Sequence, residues 1–211
     1  MEHYDKKYFD WQKNIGMLGA TANLDKFVGF VKPEFKVMDF GCGERYLPAN
    51  LECKGKIGIE INPIARDEAR SLGITVYEKI EELTDKWADL IISNNALEHT
   101  EEPLSEVIRL TSKLKKGGLM VFVVACESIN YNYKLCDINQ HLYSWSSMCI
   151  GNLFNRANLE VISSKPYIHK WPPYSGEILR FFGRKIFNTV CRVYGRIERS
   201  WFQVRIVARK P

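Results

Sequence analysis

The sequence predicts an α/β fold, a mostly parallel sheet with helices on both faces. Two observations carry that expectation. Apolar runs of strand length alternate with stretches of helical composition through the first two thirds of the chain. The first run stops at Gly41-Cys42-Gly43, a glycine pair of the kind that lets the chain leave a strand in a sharp turn.

Residues 1–35 read as an amphipathic helical cap, with Tyr8, Phe9, Trp11, Ile15, Leu18, Leu24, Phe27 and Phe30 as apolar points and Pro33 as its stop. Strands are then expected at Lys36–Phe40, Lys56–Ile61, Ile74–Glu78, Ala88–Asn94 and Gly118–Ala125. Helices are expected at Ile64–Leu72 and Pro103–Leu114. Pro63 stands at the start of the first and Gly73 just beyond its end, the usual asymmetry of helix termini. Lys113, Lys115 and Lys116 would complement the dipole at the end of the second. Residues 126–144 form a polar, aromatic loop. Ser146 can cap a helix running to about Ala157, with Asn158 at its end. Leu159–Tyr167 and Trp201–Ala208 complete the strands. The expected organisation is a cap over 1–35, a core made of 36–168 and 200–211, and a basic amphipathic insertion over 169–199.

A chain of 211 residues suits one domain with an appendage. No run of eighteen apolar residues occurs, so no membrane-spanning helix is expected. Met1–Trp11 lacks the apolar centre of a signal peptide. Six scattered cysteines, none in a C-x-x-C pair, read as reduced thiols, with neither a disulfide framework nor a metal site expected. A cytoplasmic location is the expectation, including the inner face of the membrane. The net charge of +5 is uneven. Lys165–Pro211 holds eleven Lys or Arg against two acids, a net of +9, so the rest carries −4. An anionic partner belongs at that end.

Chemistry gathers around Val37–Gly43. A strand running into G-x-G lets backbone approach a ligand where a side chain would obstruct it. Seventeen residues past Gly43, Glu60 closes the apolar run Ile57-Gly58-Ile59, where an acid can accept hydrogen bonds from both hydroxyls of a ribose. A nicotinamide-dependent oxidoreductase fits less well. Its third glycine position holds Tyr46, and Glu44 would repel a diphosphate. A carboxylate-rich crevice suits a cation better.

In order and spacing these segments resemble the class I S-adenosylmethionine-dependent methyltransferases, the type 11-like branch. The resemblance rests on Val37–Gly43, Gly58-Ile59-Glu60, Asp89–Asn94, Ala96-Leu97-Glu98-His99, Leu114–Gly118 and Gln140–Tyr143. It implies a Rossmann-like, seven-stranded sheet of order 3-2-1-4-5-7-6 with the last strand antiparallel, and S-adenosylmethionine as cofactor. By the same resemblance Asp39 orients the glycine loop, and Gly41, Cys42 and Gly43 line the methionine moiety. Glu60 holds the ribose, Ile61 and Ile80 flank the adenine, and Asn94 and Asn95 lie near the reacting methyl. Where relatives carry an aspartate, this chain has Lys79, so adenine recognition through that side chain is not expected.

His99 and His141 are the candidate general bases, needed if the acceptor is a hydroxyl or a protonated amine. The expected reaction is O-methylation of a small molecule: a saccharide, a lipid-linked compound or a quinone-like ring. A non-catalytic module that binds a partner through its basic helix is the alternative. Within Glu177–Arg199, Leu179, Phe182, Ile186, Phe187, Val190, Val193, Tyr194 and Ile197 gather on one side at helical spacing. Arg180, Arg184, Lys185, Arg192, Arg196 and Arg199 gather on the other. Such a helix suits the protein's own sheet, a second copy of the chain in a homodimer, an anionic membrane surface or an anionic acceptor. Nucleic acid is disfavoured, since no RNA-binding pattern is visible.

Overall fold

The computed structural model describes residues 19, 22–43, 47–135, 137, 139–199 and 201–211. The expected apolar points Tyr8 to Leu18, and Glu44, lie outside these residues. Seven strands form one sheet: β1 (Lys36–Phe40), β2 (Gly55–Ile59), β3 (Thr75–Tyr77), β4 (Ala88–Asn94), β5 (Leu114–Glu127), β6 (Glu160–Tyr167) and β7 (Trp201–Arg209). Their order is β3-β2-β1-β4-β5-β7-β6, as expected. The pairs β1–β2, β1–β4, β2–β3 and β4–β5 are parallel, and β7 runs antiparallel to both β5 and β6.

The strands divide their side chains between two cores by simple alternation. Met38, Phe40, Ile91, Met120, Phe122 and Val124 face one core, where α2 (Pro103–Lys113) supplies Val107 and Leu110 and α3 (Ser147–Arg156) supplies Ile150 and Phe154. Val37, Leu90, Ile92, Val121 and Val123 face the other, against Leu24, Phe27, Leu47 and Leu51. Phe122 and Phe154 meet edge to face at 5.4 Å, both fully buried. Each such ring contributes roughly 1.5–3 kcal/mol through burial. α1 (Pro63–Ser71) starts where Asn62 accepts the N–H groups of Ile64 and Ala65 at its side chain, and Gly73, at φ 77°, lies beyond its end. Ser146 accepts the Cys149 N–H to start α3, and Asn158 comes after its end at φ 60°.

Two expectations change. β5 begins at Leu114, so Lys115 and Lys116 belong to a strand and only Lys113 stands in the last turn of α2. Lys113 and Lys115 reach carboxylates, Asp85 at 2.7 Å and Asp89 at 2.6 Å. In the N-terminal stretch, the described part consists mainly of two 3₁₀ turns, Leu24–Lys26 and Val28–Phe30.

Between β6 and β7 runs α4 (Ser175–Ile197), interrupted at Gly183 (φ 72°, ψ 174°). It docks through Phe187, Asn188, Cys191 and Gly195. A Cβ at Gly195 would lie 3.1–3.3 Å from Ile168 and Lys170, so the helix seats closest there. The predicted apolar side is corrected: Phe182, Ile186, Val193 and Ile197 are exposed. Arg184 pairs with Asp25 at 2.6 Å, and Asn188 Nδ2 donates to the same carboxylate.

His169 is buried beneath α4, and its Nε2–H donates to Asn188 Oδ1 at 2.8 Å. Burial pushes its imidazole down to about 4; the Asn188 bond opposes this, and Lys26 and Arg192 reinforce it. The folded chain therefore holds a neutral ring that the unfolded chain protonates below about pH 6.5. Stability is full above that pH and falls as pH drops toward 4, by on the order of 3 kcal/mol from this group. Urea melts across this window are expected to show the fall in the native chain and a flatter profile in His169→Gln. Equal slopes in both would assign the acid sensitivity elsewhere.

Candidate active site

The carboxyl ends of β1, β2, β4 and β5 meet at one edge of the sheet, where α/β folds place their ligands. At the end of β1 the chain bends through Gly41 (φ 67°) and Gly43 (φ 54°). The Gly41 and Cys42 N–H groups bond Ile59 O at 2.9 and 3.1 Å, which ties the bend to β2. A Cβ at Gly41 would lie 2.3 Å from that of Ala96, so two loops close on each other there and only glycine fits. Gly58 has a matching role, because a Cβ on it would strike the Cys42 sulfur at 2.4 Å. The Cys42 side chain packs with Ala69, Ile74 and Val76, leaving its backbone as what it offers the crevice.

Glu60 sits beside this bend. Its Oε2 accepts the Gly43 N–H at 2.7 Å and its Oε1 accepts the Asn62 N–H at 2.8 Å. Both oxygens thus face backbone donors at the ends of β1 and β2, which fixes the carboxylate beside the bend. Ile61, next in the chain, is 60% exposed, whereas Ile80 is buried in the core beside Phe40 and Ile59. Asp39 is buried within β1, in register between Gly58 of β2 and Ile92 of β4.

Asn94 and Asn95 end β4. Asn94 Oδ1 accepts from Lys26 Nζ at 2.8 Å, and Asn95, at φ 54°, accepts from Gln203 Nε2 at 3.1 Å. Their side-chain oxygens thus brace the crevice from the N-terminal turn and from β7. Lys26 is a buried lysine that sequence reasoning missed. Only its place in an otherwise apolar helical pattern could have marked it.

His99 and His141 come together although 42 positions apart in sequence. Their rings meet edge to face, with centroids 4.9 Å apart. His99 ends the 3₁₀ turn Leu97–His99 after β4. His141 arrives on the loop after β5, which Glu98 holds by accepting the Leu142 and Tyr143 N–H groups at its carbonyl, at 2.9 and 3.2 Å. Glu98 is fully buried, and its Oε1 accepts the Ala125 N–H at 3.2 Å. His141 Nδ1 lies 2.6 Å from Glu127 Oε1 at the end of β5. Neither Glu98 nor Glu127 was expected from sequence as a site residue. Glu98, His99 and His141 also bring their potential ligand atoms within 4.8 Å of one another, a set able to hold a divalent cation. The cysteine pattern could not have disclosed this, because no cysteine takes part. Tyr143 bonds Glu101 O at 2.9 Å and stacks on Trp145, while Tyr131 and Tyr133 stand exposed on the same loop.

The crevice fits S-adenosylmethionine on this geometry. Its bend admits no Cβ at Gly41, the Glu60 carboxylate accepts the Gly43 N–H of that bend, and the exposed Ile61 lies beside that acid. Residues 5–164 match the family described as "Methyltransferase domain". The ubiquinone biosynthesis O-methyltransferase of Ruegeria pomeroyi is 24% identical over 178 residues, 70% of each chain. A protein of the same name from another Ruegeria is 30% identical over 111 residues, 47% of this chain and 43% of that one. Among solved structures, an S-adenosylmethionine-dependent methyltransferase from Thermotoga maritima superposes with a TM-score of 0.70 at 16% identity, covering 99% of both chains. A Haemonchus contortus phosphoethanolamine N-methyltransferase, crystallised with S-adenosylhomocysteine, gives 0.62 at 13% identity, covering 92% of this chain and 52% of that one. The chain belongs to the methyltransferase-domain family.

Proposed function

We propose that the enzyme methylates an oxygen of a small hydroxylated acceptor, a quinone-like ring before a saccharide or lipid-linked compound. The observation that carries this reading is the His141–Glu127 contact beside His99. With Nδ1–H donated to the Glu127 carboxylate, Nε2 keeps the lone pair that an acceptor hydroxyl requires. The names of the two Ruegeria relatives support oxygen and a quinone-like ring.

S-adenosylmethionine supplies a methyl group already activated on a cationic sulfur. Gly41–Gly43 and Glu60 fix the donor's place, the former by backbone and the latter through the sugar. Tyr131, Tyr133 and Tyr143 offer aromatic surface for the acceptor on the loop after β5. Nε2 of His141 would take the proton that the acceptor hydroxyl gives up on methylation. Glu127 stabilises the imidazolium that results. Positioning of the two reactants contributes up to roughly 7–11 kcal/mol in such reactions. We also assign the protein to a reducing compartment, the cytoplasm, in keeping with the free thiols at Cys42, Cys53, Cys126, Cys149 and Cys191.

Radiolabelled methyl transfer to a panel of catechol-type quinone precursors, saccharides and amines tests this. Label is expected on the oxygen of the ring compounds; label only on amines would overturn the reading. A second role for the same cluster rests on its metal-competent spacing. Loss of activity on chelation, restored by magnesium or manganese, would assign Glu98, His99 and His141 to a cation that acidifies the hydroxyl.

A further inference from the structure

α4 carries two apolar stripes, and the fold uses one. At 100° per residue, Phe187, Cys191 and Gly195 form a stripe that docks on the protein. Phe187 and Cys191 pack with Ala22, Trp171, Ile178 and Leu179. The second stripe, Ile186, Val190, Val193 and Ile197, is centred about 130° round the helix from the first. Ile186, Val193 and Ile197 are 50, 52 and 76% exposed, and Phe181 and Phe182, before the Gly183 break, are 70 and 61% exposed. Lys185, Arg192 and Arg196 occupy the remaining sector of the same helix, all exposed, with Arg180 and Arg199 exposed near its two ends. Acids are few here: Glu177 is exposed in the first turn, and Glu198 is paired with Lys170.

We propose that this face of α4 docks on the surface of an anionic lipid bilayer. A helix with one apolar sector and one cationic sector, both open to solvent, matches the boundary between acyl chains and phosphates. The isoleucines, valine and phenylalanines enter the apolar layer, while the arginines and Lys185 extend their long stems to the headgroups. Each such cation contributes about 1 kcal/mol near an anionic surface. Charge also decides against a second copy of the chain, because face-to-face packing would set one cationic sector against another. The docking stripe stays engaged with the protein body, so the helix can lie on a membrane without leaving its seat.

Co-sedimentation of the full chain with phosphatidylcholine vesicles, with and without phosphatidylglycerol, tests the proposal. Association is expected with the anionic vesicles, falling steeply with added salt, and weak association with the neutral ones. A Phe182→Ser, Ile186→Ser, Val193→Ser triple variant is expected to lose on the order of 100-fold in partitioning. It should keep S-adenosylmethionine affinity and its melting transition, since none of the three packs in the crevice or the core. No association of the native chain with anionic vesicles would overturn the proposal, as would equal association of the triple variant. A native dimer in size-exclusion light scattering that becomes monomeric in the triple variant, with no vesicle binding by either, would reassign the face to self-association.

Discussion

Gly41→Val is expected to abolish S-adenosylmethionine binding, and Glu60→Ala to weaken it about a hundredfold, both read by titration calorimetry. The two substitutions fail for different reasons. Gly41 sits at φ 67°, a conformation that a β-branched residue scarcely adopts, and its Cβ would need the space held by the Ala96 Cβ. Ala96 leads directly into the turn Leu97–His99, so relief of that clash moves the wall of the crevice that carries His99. Strain of about 1–3 kcal/mol at the backbone adds to the steric term. Gly41→Ala keeps both faults in milder form and is expected to fall between native and valine. At Glu60 the backbone is unaffected, but the Gly43 and Asn62 N–H groups lose their acceptor and the ribose loses its partner. Hydrogen bonds to a charged group contribute about 1.5–3 kcal/mol each, so two hydroxyls on the carboxylate give about a hundredfold loss at the lower end of that range. Glu60→Gln retains the shape and one acceptor oxygen and is expected to lose less. Native affinity in both Gly41→Val and Glu60→Ala would remove the crevice from consideration as the cofactor site.

How far each feature was legible in the sequence depends on how it is encoded. The strands and the glycine bend were legible because both depend on local composition, whereas the strand order followed from the resemblance to the class I methyltransferases. Apolar runs such as Ala88–Asn94 announce a buried strand, and Gly41 and Gly43 announce a backbone that a side chain would block. Glu60 was legible because it closes such a run, and the structure brings it to the bend. Lys26, Glu98 and Glu127 were not legible. Each acts through a partner set by tertiary packing, Asn94 for Lys26, the Ala125 N–H for Glu98 and His141 for Glu127, and no short-range pattern marks such pairs. The start of β5 was misread for a related reason. Lys115 looks like the end of a helix until Asp89 on the neighbouring strand is seen to receive it. In α4 the failure is one of symmetry. A helical wheel with two apolar sectors does not say which faces inward. The choice fell to Gly195, whose missing side chain lets that sector approach Ile168 and Lys170 closely.

His141→Gln is expected to lower kcat by roughly 100- to 10,000-fold with neutral hydroxyl acceptors, the usual span for a lost general base. S-adenosylmethionine affinity should stay at the native value, because His141 stands on the loop after β5 and not at the glycine bend. Glu127→Gln keeps the hydrogen bond to Nδ1 but removes the charge that stabilises the imidazolium, so a smaller loss, about tenfold or more, is expected. Acceptor acidity supplies a readout that a merely structural role for His141 would not move. A hydroxyl already ionised at the assay pH has no proton to give, so the His141→Gln deficit should shrink as the acceptor becomes more acidic. A deficit independent of acceptor acidity would instead mean that the ring orders the loop that Glu98 also holds through the Leu142 and Tyr143 N–H groups. His99→Gln separates the two rings further. His99 touches His141 edge to face, whereas the Glu127 carboxylate bonds the His141 ring, so loss of His99 should cost less than that of His141 and should keep the dependence on acidity. If His99→Gln erased activity while His141→Gln spared it, the proton would leave through His99, and the Glu127 contact would be reduced to a loop anchor.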